Sequence, residues 1–207
     1  MRPLNLDEIV ARDRYAELRS GYRTAIIAYK RGRRMALGDR ATLLFEDRET
    51  LRFQVQEMVW VERIGEPEKI QNEIDVYNEL MPGNRELSAT LFIEITDLAE
   101  IRPELERLAG LDEHVALSLE ARGDSEAIPA RFDATQFEPD RISAVQYIRF
   151  SLSDSQAERF VDLGVRAAIR IDHPHYRHDI EIPPLVRASL ISTLHGDPKP
   201  LLQAPTS

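Results

Sequence analysis

A chain of 207 residues, 30% charged and 43% hydrophobic, is long enough to bury a real core, as one large domain or two small ones, without cross-links. It contains no cysteine, which excludes disulfides, thiolate nucleophiles, thiolate zinc sites and all-cysteine iron–sulfur clusters. Its net charge of −9 argues against broad nucleic-acid binding, which depends on neutralising phosphates.

The first residues turn polar at once, and no run approaches the ~20 apolar residues that span a bilayer. The expectation is a soluble, cytoplasmic protein with no membrane association. Tyr15 and Leu18 predict a first short helix, and Tyr22, Ile26, Ile27 and Tyr29 stripe a second. That helix runs into Lys30-Arg31-Gly32-Arg33-Arg34. Basic residues suit a helix C-terminus; the sharper reading is an anion site made by Arg31, Arg33 and Arg34.

Met35-Ala36-Leu37 and Ala41 to Phe45 flank Gly38-Asp39-Arg40, a hairpin pattern. Asp47 is placed to cap a helix in which Leu51, Val55, Met58 and Val59 keep helical spacing. Pro67 suits the first turn of another, with Ile70, Ile74, Tyr77 and Met81 on one face and Pro82-Gly83-Asn84 at its end.

From Ser88 the chain repeats itself. Strand-like Ser88 to Ile95, a capped helix from Asp97 to Gly110, strand-like His114 to Leu119 and a turn at Arg122-Gly123-Asp124 lead to Ala127-Ile128-Pro129. The second copy runs Ser143 to Phe150, a capping box at Ser153 and Gln156, Ala167 to Ile171, and Ile180-Glu181-Ile182-Pro183. Pro183-Pro184 opens a closing helix. The predicted fold is two-layer α+β. A mostly helical region with a hairpin spans 1–87. A pseudo-duplicated strand-helix-strand-strand region spans 88–195, forming one compact domain with the first, and 196–207 is a flexible tail. Because two strands joined by a helix usually run parallel, the expected sheet is mixed.

Met35-Ala36-Leu37-Gly38, Leu44-Phe45-Glu46-Asp47-Arg48, Phe53-Gln54-Val55-Gln56-Glu57-Met58, Tyr77-Asn78, Ser143-Ala144-Val145 and Asp172-His173-Pro174-His175-Tyr176 together resemble a bacterial family, domain of unknown function 3501. The resemblance covers nearly the whole chain. It implies no established activity. It does imply a setting, since members are often encoded near rubrerythrin-like di-iron proteins and iron–sulfur oxidoreductases. An accessory role in iron-dependent redox or peroxide defence follows as an expectation, with such a redox protein as partner. In the family pattern His173, Pro174 and Tyr176 match, whereas His175 is variable.

The segment from Asp172 to His178 gathers three of the five histidines with a carboxylate, a phenol and an arginine. Imidazoles bind transition metals, and a carboxylate commonly orients them. Against this stands a plain strand end in which Tyr176 packs and His175 and His178 face water. Gln54 and Glu57 lie three apart beside apolar neighbours, so a buried Glu57 would have a raised pKa and could donate a proton or bind metal. The duller reading is a buried network with Arg48 or Asn78. His114 stands at a strand start, by default structural. No helical Glu-x-x-His, P-loop, Gly-x-Gly-x-x-Gly, Gly-x-Ser-x-Gly or His-Glu-x-x-His occurs.

Three functional readings follow. The first is a non-catalytic accessory or binding protein beside an iron-dependent redox system. The second is a metal-dependent enzyme, using a transition metal ion held by His173, Asp172 and Glu57 with Tyr176 as donor. The third is an anion or nucleic-acid binder through residues 30–34. The first would present a groove on paired surfaces of the pseudo-repeat; the composite site of the second requires Glu57, His114 and His173 to converge.

Overall fold

The computed structural model describes residues 1–133 and 141–202. The two helices expected at the N-terminus are one, α1 (Arg12–Lys30). Nothing in the sequence breaks it: Gly21 in its middle stands in open space and costs only its propensity, about 1 kcal/mol. The hairpin follows as β1 (Arg34–Ala36) and β2 (Ala41–Glu46), turning at Gly38 with φ +85°. Asp47 then caps α2 (Arg48–Val61), its carboxylate accepting the backbone N–H groups of Glu49 and Thr50. Proline opens α3 (Pro67–Asn78), as its spacing predicts.

The remainder is β3 (Glu86–Ile93), α4 (Ile101–Arg107), β4 (Val115–Ala121), β5 (Asp124–Pro129), β6 (Arg131–Phe132), β7 (Val145–Ser151), α5 (Asp154–Val161), β8 (Arg166–His173), β9 (Tyr176–Glu181) and α6 (Pro184–His195). A reciprocal capping box at Ser153 and Gln156 starts α5. At Asp97 only the Ala99 N–H is capped.

The class is α+β, but the mixed sheet is not formed. The strands make a five-stranded sheet, ordered β1-β2-β3-β7-β6, and a four-stranded sheet, ordered β5-β4-β8-β9. All pairings are antiparallel. The physical reason lies in α4 and α5. Each hands the chain from one sheet to the other, so the strands it joins never share a sheet and the parallel-crossover rule does not apply. The repeat itself is real in space. First strands β3 and β7 pair with each other, second strands β4 and β8 pair with each other, and third strands β5 and β9 form the two edges. That arrangement is an approximate two-fold.

One apolar cluster joins the inner faces of both sheets. Leu43, Phe45, Leu91, Ile148 and Phe150 meet Leu117, Leu119, Ile169 and Ile171, closed by Leu105, Phe160 and Leu190. A buried arginine helps close it. Arg187 of α6 donates to the carbonyls of Phe160, Asp162 and Val165, satisfying the C-terminal end of α5. The helices α2 and α3 have their own cluster of Leu51, Val55, Val59 and Ile74 with Leu4, while α1 packs through Tyr15 and Tyr22 in a third. The tail expected to be loose from 196 is seated at Leu202, which is buried with Val10, Tyr15 and Tyr22; residues 203–207 lie outside the described residues.

Candidate functional site

Strand alternation sets the site. In β2, Leu43 and Phe45 point into the core, so Leu44 and Glu46 point to the other face of the sheet. The register puts Ser88 opposite Glu46 and Thr90 opposite Leu44, then Arg149 opposite Ser88 and Tyr147 opposite Thr90. That face therefore carries a polar row where most sheets are apolar, and the helices lie against it: Gln54 of α2 reaches Glu46, and Arg149 reaches the carbonyls of Glu79 and Met81 past the end of α3.

Glu46 is 2% exposed. Thr90 Oγ1 donates to it at 2.6 Å and Gln54 Nε2 at 3.2 Å. Among the described residues no cationic side chain lies within ion-pair distance of it. Burial raises its pKa, only partly opposed by hydrogen bonds from Thr50 and Thr90 and by the charge of Lys30. Lys30 is shifted the other way: burial lowers its pKa, with Glu46 pulling against the shift. Its ammonium lies 5.2 Å from the Phe53 ring centroid. Burial, then Tyr147, Glu73 and Glu46, push Tyr77 up to about 12, and burial with Glu46 and Asp133 raises Tyr147. A carboxyl with a raised pKa, a lysine with a lowered one and two phenols with raised ones thus share one interlayer. At its edge opens a cavity of about 380 Å³ lined by Glu79, Leu80, Arg131, Phe132, Asp133, Tyr147 and Arg149. Glu86 lies beneath Arg131 and Arg149, accepting from them at 3.1 and 2.8 Å.

The neighbouring residues of the same run are structural. Arg33 and Asp47, 1% and 0% exposed, form an ion pair at 2.9 Å. Arg33 also donates to the Phe45 and Glu46 carbonyls and to Ser189 and Thr193 of α6. This corrects the anion site: Arg33 is consumed inside the fold, Arg34 is exposed and paired with Glu94, and of the three only Arg31 stands on the surface without such a tie. Arg48 holds the N-terminal segment through the Arg2 carbonyl and Glu8, and Asn78 holds Leu4 through both its backbone groups.

Glu57 does not meet the histidines. Its carboxylate accepts from Tyr15 at 2.7 Å, from Arg19 at 2.8 Å twice and from Arg23 at 3.0 Å, all on α1. Burial pushes its pKa up, but these donors outweigh it and the net shift is down, opposite to the sequence expectation. Gln54, on the same helix, serves Glu46 instead.

His173 ends β8 facing inward, and Pro174-His175 turn the chain so that Tyr176 pairs back with it. Its ring packs on His114 at 5.3 Å and His175 at 5.7 Å between centroids. Its Nδ1 accepts the His175 N–H at 3.3 Å, which leaves Nε2 to donate to the Ala109 carbonyl at 3.1 Å. Both nitrogens are spent. Burial lowers its pKa, opposed by Ala109 and reinforced by His114, His175 and Arg107. Asp172, one residue earlier, points to the opposite face and meets Arg177 at 3.3 Å, so it cannot orient His173. Tyr176 is buried, its hydroxyl donating to the Leu37 carbonyl and accepting the Arg40 N–H at 3.1 Å. The structure therefore unites His114, His173 and His175 but leaves Glu57 and Asp172 out. Among the described residues no group of three or more histidine or carboxylate side chains is arranged to hold a metal ion.

Glu46 was missed as a site residue, although the signal was present: a carboxylate at an inward-reading strand end, directly after Leu43-Leu44-Phe45. Tyr147 and Lys30 gave no such sign.

The comparisons agree with this geometry only in being silent on chemistry. The family model described as "Protein of unknown function (DUF3501)" matches residues 3–194. A solved structure described as a novel protein of unknown function from Burkholderia pseudomallei K96243 is 34% identical. It covers 93% of this chain and 100% of its own, with a TM-score of 0.83. No curated protein matches. A family model running through nearly every element described, together with a neighbour of this identity and coverage, places the chain in the DUF3501 family.

Proposed function

We propose that the protein is a binding protein acting as an accessory to an iron-dependent redox or peroxide-defence system, and that its ligand or partner is received at the polar interlayer and cavity around Tyr147 and Arg149. One observation carries the preference for binding over catalysis: the groups the sequence nominated for chemistry are saturated by internal partners. Glu57 accepts four hydrogen bonds from three residues, His173 has both nitrogens engaged, and the Tyr176 hydroxyl bridges two backbone groups. Such groups act as struts. The redox setting is supported by what membership of the family implies through its gene neighbours, with a rubrerythrin-like or iron–sulfur protein as the partner.

The test is peroxide turnover by a purified rubrerythrin-like di-iron protein and its reductase, with and without the chain, alongside calorimetric titration. Association in the micromolar range or a change in turnover is expected. No heat at about 100 μM, together with peroxide turnover by the chain alone, overturns the reading.

A second reading, an enzyme, is favoured by the opposed shifts of Glu46 and Lys30, since burial that raises a carboxyl and lowers an ammonium moves both toward the neutral range in which acid–base groups work. Its metal-dependent form rests on the imidazole cluster. Elemental analysis of untagged protein tests it: less than about a tenth of an equivalent of any transition metal, with no thermal shift on adding iron or zinc, removes it.

A further inference from the structure

The helical layer holds part of its own chain in the manner of a bound peptide. Leu202 fills an aromatic socket built by Tyr15, Tyr22, Phe53 and Trp60. The rings brace one another edge to face, at 6.3 Å between Tyr15 and Tyr22, 6.1 Å between Tyr15 and Trp60 and 5.3 Å between Tyr22 and Phe53. Two charged side chains, both about 97% buried or more, stand beside its backbone. Arg52 Nη1 donates to the Leu202 carbonyl at 2.6 Å, and the Glu49 carboxylate lies beside that clamp. Glu49 is held in turn by the Tyr22 hydroxyl at 2.8 Å and lies 3.7 Å from Arg52. An apolar plug would need no such groups, because burying charge is expensive unless it recognises something.

The segment it holds has a matching character. Pro198 and Pro200 fix φ and bias Asp197 and Lys199 toward extended backbone, so Asp197-Pro198-Lys199-Pro200-Leu201-Leu202 is stiff before it docks. Its own hold is slight. Residues 199–201 are exposed, and beyond the clamp on Leu202 the segment is tied by Asp197 to Arg2. An aromatic groove that takes a proline-spaced segment and clamps main chain is a general mode of peptide recognition. A weakly tied segment can be exchanged.

We propose that the groove on α1 and α2 is a peptide-recognition site, filled in cis by residues 197–202, and that the partner enters it with a segment of the same chemistry: extended, proline-spaced and carrying a leucine. The proposal goes beyond the binding-protein reading by adding a second site, separate from the cavity at Tyr147 and Arg149, and rests on that reading for the existence of a partner, but the groove is testable without one.

The probe is acetyl-Asp-Pro-Lys-Pro-Leu-Leu-amide carrying a fluorophore, with a control in which the last leucine is alanine, titrated by anisotropy into full-length wild type and full-length Leu202→Ala. The variant, freed of its competitor, is expected to bind the peptide about tenfold tighter than wild type, and the control peptide about tenfold more weakly. Equal binding to both proteins, no binding to either, or indifference to the alanine overturns the proposal. Should the variant not fold, methyl NMR on wild type decides: millimolar peptide should move the Leu202 methyl signals, which sit among aromatic rings, to free-chain positions while those of Leu51 and Val55 stay, and unmoved Leu202 methyls overturn it. A concentration-dependent dimer that trades the segment between copies overturns the assignment to a partner. Failure of the redox-partner assay with success here would leave the groove standing and remove only the redox setting.

Discussion

Gly38 is where the β1–β2 turn meets the four-stranded sheet. A Cβ there would lie 2.3 Å from His178 Nε2 and 2.7 Å from the Tyr176 hydroxyl, and φ is +85°. Tyr176 and His178, 4.5 Å apart, lie over this glycine, and the Tyr176 hydroxyl bonds the turn on both sides. Gly38→Ala therefore combines a left-handed backbone penalty with an overlap that the His178 and Tyr176 rings must shift to relieve, at the cost of the Tyr176 bonds to the turn, and is expected to lose about 2–4 kcal/mol in urea unfolding. Glu46 gives the opposite sign. Its folded pKa is above the unfolded value, so the folded state binds the extra proton between the two and loses stability as pH rises through that window. Glu46→Gln keeps the shape without the charge. It should melt higher than wild type at neutral pH, by ~2–4 °C for each kcal/mol recovered, with the two melting curves converging below about pH 4.5.

At the scale of the element, α2 depends on one carboxylate doing two tasks. Asp47 caps its first turn and neutralises Arg33 in the interior. Asp47→Ala should lose about 1 kcal/mol for the cap and about 3–5 kcal/mol for the stranded guanidinium. The double variant with Arg33→Met should recover most of the second part and little of the first, so a double-mutant cycle by chemical denaturation separates them; strict additivity would show that the pair is not coupled. The same logic explains which elements were legible. Asp47, Pro67 and the Ser153 box act within a few residues of themselves, and each begins a helix where the sequence says it should. Strand β6, two residues long, carried too little pattern to be seen.

At the scale of the whole molecule, acid stability sums groups of opposite sign, with buried Glu46 and Glu49 on one side and the arginine-paired carboxylates on the other. Glu8, Glu57 and Glu86 have lowered folded pKa values: burial pushes each up, and arginine partners with other hydrogen bonds outweigh it. Their stabilisation is present above about pH 4.5 and is lost as pH falls through the folded values. His173 acts earlier. Burial lowers its folded pKa, so below about pH 6.5 the unfolded state takes up the proton first and stability falls with pH. A first decline in melting temperature between about pH 7 and pH 5 is expected. It should shrink in His173→Gln, and an unchanged decline would assign it elsewhere, with His114, His175 and Arg107 as the facing groups.

What the sequence by itself determined was local: where helices start, where the hairpin turns, the α+β class and the existence of two copies of one unit. These follow from caps, prolines and periodicity, forces that act over a turn of helix or a pair of strands. Only the tertiary structure decided that the copies divide between two antiparallel sheets, that Glu57 belongs to α1 and that His173 stacks on His114. It also decided that Glu46 is left buried with no cation in ion-pair reach among the described residues. Those outcomes depend on which faces meet across long stretches of chain, and of two adjacent carboxylates Asp47 finds an arginine and Glu46 a threonine.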